Sequence, residues 1–324
     1  MIRSAAKCGV SRREWLGIAG GGLAAVGLAR DSVASPAGQA AREAASAPAM
    51  KLSLSVRVAE AFGSKDKSSM TIDQLIQLAR QHGYQALCMR ASQAGVQSSA
   101  DTVREMSGKI RAAGLAVSMV TGDVAIPQND DQGPNGLRNI TPYLDLAQAF
   151  GADLLRVCMK KEEDVAWAQK ASDEARERGI RLAHQVHCAS LFETVAGSLS
   201  VLQAVGRPNF GIIYEPANWL IAGQDYGART IHKLRPYLFN VYVLNHRLRP
   251  GAETTVSTWT RGHVALDHIG IWEQGGVDFG EVFRGLHEIG FRGYVTVHQA
   301  FEGVMPIQTA VERSAMYLRT FERG

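Results

Sequence analysis

The sequence predicts an α/β protein, a (β/α)₈ TIM barrel that forms a single domain over residues 51–324 behind an N-terminal export signal. The chain has 324 residues, of which 46% are hydrophobic and 20% are charged, a composition typical of globular proteins. From residue 50 onward one unit recurs: an amphipathic run with helical spacing, a glycine, and a short apolar run. This unit is typical of a helix that ends at a left-handed glycine and of a strand that is buried on both faces.

Helices and strands alternate along the chain. Helical runs are predicted at residues 72–79, 103–113, 143–150, 165–178, 199–205 and 282–289, and they end at Gly83, Gly114, Gly151, Gly179, Gly206 and Gly290. Strands are predicted at residues 52–58, 86–89, 116–120, 154–158, 180–186, 210–214, 239–244 and 294–297. Such alternation requires a parallel sheet with right-handed crossovers, and eight units in about 270 residues match a (β/α)₈ barrel. A doubly wound open sheet is the alternative, but no G-x-G-x-x-G follows the first strand.

The first 50 residues are predicted to be a leader and a linker outside the fold. Residues 11–16 read S-R-R-E-W-L and precede an uncharged, Gly/Ala-rich stretch over residues 15–29, which resembles a twin-arginine signal. This stretch is shorter than the roughly 20 residues of a spanning helix, so no stable membrane span is expected. The leader predicts a contact with the twin-arginine translocase and a periplasmic or extracellular location; an uncleaved amphipathic anchor is the alternative.

The net charge bears on the class of partner, and the cysteine positions bear on whether disulfides form. The formal net charge is +4, but residues 1–50 hold six basic and three acidic residues, so the barrel itself is near neutral. Nucleic-acid binding normally needs a concentrated basic face, so a small-molecule partner is expected instead, with a homo-oligomer left open. Cys88, Cys158 and Cys188 lie on or just after apolar strands and are predicted to be buried free thiols, with a disulfide as the alternative.

Polar residues collect where the predicted strands end, which is the catalytic face of a barrel. Alternation along the fifth strand places Gln185 and His187 on one face, from which they can converge with Glu215 and His298. These four residues are candidate ligands for a divalent metal, because carboxylate and imidazole suit a cation such as Mn²⁺, Zn²⁺ or Fe²⁺. A structural or surface role is the alternative for each histidine.

Other residues at the strand ends are candidates for chemistry and substrate binding. His298, Glu215 and His246 are the candidate catalytic residues, and an ordinary His titrates near pH 6.5, as a base requires. The candidate substrate-binding residues are Arg90, Arg156, Lys160, Asn218 and Trp259. Trp259 belongs to a predicted long loop over residues 247–277, where it would cover a sugar ring or pack on the rim.

Four of these strand segments carry a resemblance to a known family. They read I-R-L-A-H-Q-V-H (180–187), F-G-I-I-Y-E-P-A-N (210–218), F-N-V-Y-V-L-N (239–245) and G-Y-V-T-V-H (293–298). The region from about residue 51 to residue 323 resembles the xylose-isomerase-like TIM barrels, which include sugar and sugar-phosphate isomerases and epimerases and endonuclease IV. The resemblance implies a barrel fold, a carbohydrate substrate and a divalent metal, Mg²⁺ included.

The chain departs from the family at the positions that hold the metal. Gln185 stands where members usually have a glutamate on the fifth strand, and His298 stands where they have one on the eighth. Glu215 and Asn218 replace an aspartate and a histidine on the sixth strand, and Tyr242 or His246 corresponds to the histidine of the seventh. In the isomerases and epimerases, the two replaced glutamates bind the metal and move the substrate proton.

The predicted function is therefore a sugar isomerase-like or epimerase-like enzyme that removes a proton next to a carbonyl, with metal assistance. Isomerisation, epimerisation and elimination from a keto-sugar all begin with this step. A carbohydrate-binding barrel that has lost its metal site and its catalysis is the alternative from another class. A nuclease is disfavoured, because the predicted barrel is near neutral and has few metal ligands.

The paired arginines generate a test of export. Replacing Arg12 and Arg13 by lysine keeps the charge but removes the two guanidinium groups that the translocase reads. We expect the double variant to accumulate in the cytoplasm as a full-length precursor, measured by cell fractionation and immunoblotting. Unchanged export of the double variant would contradict a twin-arginine route.

Overall fold

Eight parallel strands close into a barrel in the computed structural model, which describes residues 50–322. The strands of these residues, in chain order, are β1 (Lys51–Ser55), β2 (Ala86–Arg90), β3 (Ala116–Thr121), β4 (Leu154–Val157), β5 (Arg181–Gln185), β6 (Phe210–Tyr214), β7 (Leu238–Val243), β8 (Asn245–Leu248), β9 (Thr254–Thr258), β10 (Gly262–Ile269) and β11 (Tyr294–Val297). Strands β1 to β7 follow one another around the barrel, and β11 closes it between β7 and β1. The predicted (β/α)₈ TIM barrel is thereby confirmed.

Helices surround the barrel, and the predicted glycines end six of them. All six glycines have a positive φ, between 55° and 75°, which a residue without a Cβ adopts without strain. The helices of the described residues are α1 (Ile72–Gln81), α2 (Ala100–Ala112), α3 (Ala125–Gln128), α4 (Asn135–Arg138), α5 (Thr141–Phe150), α6 (Asp164–Glu177), α7 (Val195–Val205), α8 (Pro216–Ile221), α9 (Ala228–Leu234), α10 (Phe279–Glu288) and α11 (Ile307–Arg319). None of them is long and apolar enough to cross a membrane.

The interior of the barrel is filled with side chains rather than hollow. One cluster in this interior consists of buried residues from the consecutive strands β2 to β7, namely Cys88, Met119, Leu154, Ala183, Ile213 and Tyr242. The Tyr242 ring stacks on the His298 ring, with the ring centroids 3.6 Å apart. Through this contact, the cluster packs against a polar residue at the strand ends.

The first strand is shorter than predicted. It ends at Ser55, whose Oγ accepts a hydrogen bond from the backbone N–H of Arg57 at 3.2 Å. A 3₁₀ turn (Val56–Ala59) follows. Because the chain turns here instead of continuing as a strand, Arg57 and Glu60 come to lie at the carboxyl-terminal end of the barrel.

The predicted long loop over residues 247–277 contains most of a small sheet. Strands β8, β10 and β9 pair antiparallel in that order, and β8 begins one residue after the last residue expected in the seventh barrel strand. The β9 sequence T-T-V-S-T is rich in β-branched residues, which favour a strand over a loop.

The remaining predictions concern the cysteines of the barrel and the segment that precedes it. Cys88, Cys158 and Cys188 are free and buried, as predicted. The twin-arginine signal, the linker and Cys8 lie outside the described residues, and their assignment stays a prediction.

Candidate active site

A cavity of about 380 Å³ opens at the carboxyl-terminal ends of the barrel strands. This is the volume of a small-molecule site, and its position is where the chemistry of this fold is carried out. Its charged and polar lining consists of Arg57, Lys65, Arg90, Gln128, Arg156, Gln185, His187, Glu215, Asn218, His246, His268, His298 and Gln299.

The Glu215 carboxyl group is fixed by two amides. Glu215 follows β6 directly and precedes Pro216, which begins α8, so the strand-to-helix turn directs it into the cavity. Its two oxygens accept hydrogen bonds from Gln185 Nε2 and Asn218 Nδ2, and Asn218 also donates to the Val186 carbonyl at 2.8 Å. Burial raises the pKa of Glu215 to about 8, although Arg156 and the Gln185 hydrogen bond act in the opposite direction.

The Arg156 guanidinium is a buried cation without a direct partner. Arg156 lies on β4 with 3% of its surface exposed, and its Nε has no hydrogen-bond partner. No ion pair or hydrogen bond joins its side chain to another group within residues 50–322. Its charge and that of Glu215 affect each other's pKa, yet the two groups make no salt bridge. Both residues line the same cavity.

A second carboxylate, Glu60, lies buried and binds two arginines. Arg90 donates from Nε and Nη2 to the two Glu60 oxygens at 2.8 and 2.9 Å, and Arg57 donates from Nη1 at 3.1 Å. Ser92 Oγ donates to the same carboxylate at 2.6 Å. Burial opposes ionisation, but the charge and hydrogen bonds of Arg90 outweigh it and hold the pKa of Glu60 below its ordinary value. One carboxylate therefore balances only one of the two guanidinium charges.

Lys65 brings a further cation to the cavity. Its Nζ donates to the Pro127 carbonyl at 2.8 Å. Burial, together with the positive charges of Arg57, Arg156 and Arg90, lowers the pKa of Lys65 to about 7. Burial is the largest cause of this shift, and the neighbouring guanidinium charges add to it.

The cavity histidines are neutral in the same environment. Burial, and then the charges of Arg90 and Arg156, lower the pKa of His298 well below its ordinary value, and its Nδ1 lies 3.0 Å from Ser55 Oγ. Burial lowers the pKa of His187 to about 3, and its Nδ1 lies 2.8 Å from the Cys188 carbonyl. That contact requires a proton on Nδ1, so Nε2 of His187 is an acceptor.

His246 and His268 form a pair at the edge of the cavity. Their Nδ1 atoms are 3.1 Å apart, and burial followed by the charge of His268 lowers the pKa of His246 to about 3. The pair links β8 to β10, so the small sheet supplies one wall of the cavity.

Most of the residues expected from the sequence reach this cavity, and two do not. Gln185, His187, Glu215, His298, His246, Arg90, Arg156 and Asn218 line it. The Lys160 ammonium instead donates to the Asn129 carbonyl at 2.7 Å, and Trp259 is 61% exposed in the turn between β9 and β10. Neither of these two residues lines the cavity, and their contact with substrate stays a prediction.

Sequence reasoning missed Arg57, Lys65 and His268. Arg57 was assigned to the first strand, and only the 3₁₀ turn directs its side chain to the cavity. Lys65 and His268 lie on segments that were not assigned to strand ends. One feature of the sequence does point to this part of the site: Arg57, Glu60 and Arg90 are charged residues close to the ends of the first two predicted strands.

The sequence model of the xylose isomerase-like TIM barrels matches residues 76–321. The chain belongs to the xylose isomerase-like TIM barrel family. No curated protein matches the chain in sequence.

Solved structures share the fold of this family member at low identity. The probable 3-DHS dehydratase AsbF from Bacillus anthracis is 14% identical, covering 83% of this chain and 99% of its own, with a TM-score of 0.63. D-allulose 3-epimerase from Methylomonas sp. in complex with D-allulose is 17% identical over 84% and 98%, with a TM-score of 0.60. A xylose isomerase-like TIM barrel protein from Mycobacterium smegmatis in complex with magnesium is 14% identical over 86% and 98%, with a TM-score of 0.62. Identities this low establish the fold alone.

The residues of this family member do not fit the divalent metal that the family implies. No cluster of three His, Cys, Asp or Glu side chains suited to a metal occurs in the described part of the chain. Glu215 has both oxygens occupied by amide donors, and Gln185 directs its nitrogen toward that carboxyl group. Arg57, Lys65 and Arg156 would also repel a dication. The expected ligand set of Gln185, His187, Glu215 and His298 is therefore corrected to a single carboxyl group among neutral side chains.

The Glu60 contacts generate a prediction about stability. Glu60→Ala leaves two buried guanidinium groups without their carboxylate, and we expect a loss of about 3–5 kcal/mol in the free energy of unfolding, measured by urea denaturation. Glu105→Ala is the control, because Glu105 forms an exposed pair with Lys109 that is worth under about 1 kcal/mol. Equal effects of the two changes would contradict the role assigned to Glu60.

The mismatched metal ligands generate a second prediction. Purified protein should contain far less than one equivalent of Mn, Zn, Fe or Mg by elemental analysis, and Mn²⁺ or a chelator should leave its Tm unchanged. Gln185→Glu restores a second carboxylate beside Glu215, so its Tm should become more sensitive to Mn²⁺. A stoichiometric metal in the unchanged protein would overturn this account of the site.

Proposed function

We propose that this chain is an enzyme that removes a proton from the carbon next to the carbonyl of a small carbohydrate. The observation that carries the proposal is the pairing of Glu215 and Arg156 across one cavity without a direct ion pair. A carboxyl group that can accept a proton and a cation that can stabilise the resulting oxyanion are the two requirements of enolisation.

Glu215 is the base in this proposal. A general base works best when its pKa lies near the working pH, and burial places that of Glu215 at about 8. The Gln185 and Asn218 amides hold the carboxylate in one orientation. Its proton comes from the substrate carbon, and the electron pair of the broken C–H bond moves toward the carbonyl oxygen.

Arg156 stabilises the negative charge that develops on this oxygen. Its guanidinium is already desolvated and has no competing carboxylate within hydrogen-bond reach, so it need not break a contact before it acts. Fixed donors in a buried site stabilise an oxyanion more strongly than water does. The family's metal supplies a positive charge for the same purpose, and in this chain the guanidinium takes that role.

His298 and His187 are the candidates for positioning the hydroxyl groups of the substrate. Both line the cavity as neutral imidazoles, and because burial lowers their pKa they are hydrogen-bonding partners and only weak bases. Return of the proton to the same carbon from the other side gives epimerisation, and its return to the neighbouring carbon gives isomerisation. Loss of a hydroxyl gives elimination, so an epimerase and a dehydratase can share this first step.

Export remains part of the proposal. The paired arginines support a periplasmic or extracellular site of action, where the substrate would be an external carbohydrate.

Hydrogen exchange tests the proposed step without knowledge of the product. In D₂O, we expect the enzyme to replace the proton next to the carbonyl of a ketose or keto-acid with deuterium, measured by NMR over a panel of sugars. The rate should rise with pH and level off above about 8, because only the carboxylate form of Glu215 accepts the proton. Glu215→Gln should lower this rate by about 10²–10⁴-fold.

Glu253→Gln is the matched control, because Glu253 is exposed between β8 and β9, and it should exchange at the unchanged rate. Binding of sugars with no exchange on any of them would refute the enolising enzyme and favour a carbohydrate-binding barrel.

A further inference from the structure

Buried polar atoms without partners surround the cavity. Arg156 Nε and Arg90 Nη1 are buried donors with no acceptor, and Gln185 Oε1 is a buried acceptor with no donor. An unpaired buried polar atom typically costs about 1–3 kcal/mol, so native structures seldom retain several in one place. All three side chains line the same cavity. A ligand with acceptor oxygens and a hydroxyl group would satisfy them together.

The charges around the cavity do not balance. Four cationic side chains line it, namely Arg57, Lys65, Arg90 and Arg156. The carboxylates near them are Glu60, which binds two of the four, and Glu215, which has no salt bridge. Burying an uncompensated charge is unfavourable, so the arrangement favours an occupant that is itself negative.

We propose that the cavity binds an acidic sugar, whose carboxylate or phosphate group shares the Arg156 guanidinium with the carbonyl oxygen and is also held by Lys65 and the unpaired Nη1 of Arg90. This inference rests on the proposed function and names the class of its substrate. The positive lining of the cavity thus favours an anionic ligand, whereas the metal implied by the family is a cation.

The geometry of the donors fits such a group. A guanidinium presents parallel N–H donors that match the oxygens of a carboxylate or phosphate, and charge-assisted hydrogen bonds of this kind are the stronger ones. Lys65 Nζ uses one hydrogen bond on the Pro127 carbonyl, and two of its three protons remain for a ligand. Gln185 Oε1 then accepts from a sugar hydroxyl. A cavity of about 380 Å³ limits the ligand to about the size of a monosaccharide.

Calorimetric titration tests the charge requirement without any chemistry. The probes are D-glucuronate, D-glucose 6-phosphate and the neutral D-glucose, at low and high salt. We expect at least one anionic probe to bind at least about tenfold more tightly than glucose, and salt to weaken that binding. The tighter of the two anions identifies a carboxylate or a phosphate as the group recognised. Equal binding of all three probes, or no binding of any, overturns the proposal.

Arg156→Met tests the residue. It should weaken binding of the anionic probe by about 10–100-fold, the usual value of a hydrogen bond to a charged group, and leave glucose unaffected. Arg104→Met is the control, because Arg104 is exposed on α2 and pairs with Asp101 there. Unchanged anion binding by Arg156→Met overturns the assignment.

The ligand-free variant gives an independent measurement. If Arg156 is held for a ligand, its replacement removes an uncompensated buried charge and the Tm should rise. If Arg156 is a structural residue, the Tm should fall by several degrees, and that result also overturns the proposal. Anion binding that depends on Arg156 without deuterium exchange would refute enolisation alone. Deuterium exchange on a neutral ketose, together with equal binding of the charged and neutral probes, would refute the anion site alone.

Discussion

The Glu60 carboxylate is the contact on which the cationic side of the cavity depends. It accepts hydrogen bonds from Arg57, Arg90 and Ser92 in a buried position where an unpaired guanidinium would be strongly unfavourable. Arg57 also donates to three carbonyl oxygens between residues 61 and 64, at 2.7–3.2 Å, twice from the same Nη1 atom and once from Nη2. The segment that leads into Lys65 is therefore anchored, and one carboxylate determines where three cations lie.

The positive potential that results explains several properties of the site at once. Together with burial, which is the larger cause, it lowers the pKa of Lys65 and keeps His298 neutral, and it also disfavours a dication. Glu215 remains basic because its burial outweighs the attraction of Arg156. A barrel that holds fixed guanidinium groups at its strand ends can stabilise an oxyanion as a metal does, since both place positive charge where negative charge develops. The family fold is kept while the source of that charge changes.

The sequence was sufficient for the fold because the barrel leaves local signals. Gly151 and Gly206 end their helices in the left-handed conformation, and eight apolar runs mark the strands. Alternation also separated Gln185 from His184, which stacks on Phe192 outside the cavity. Alternation could not show that Lys65 lines the cavity and Lys160 does not. The position of Lys65 depends on the path of a loop, which has no periodic pattern in the sequence. The same limit applies to Arg57, whose orientation depends on a turn that one Ser55 hydrogen bond stabilises.

The unpaired atoms of the cavity lie on rigid elements, and this explains how the fold tolerates them. Arg90, Arg156 and Gln185 project from β2, β4 and β5, whose backbones are fixed by hydrogen bonds on both sides within a closed barrel. The backbone of a flexible loop would shift toward water or a partner, whereas the backbone positions of these three residues are fixed by the barrel. The barrel closure thus offsets the cost of keeping charged and polar groups desolvated. Groups held in this state are prepared for a ligand, because little of the binding free energy is lost in ordering them.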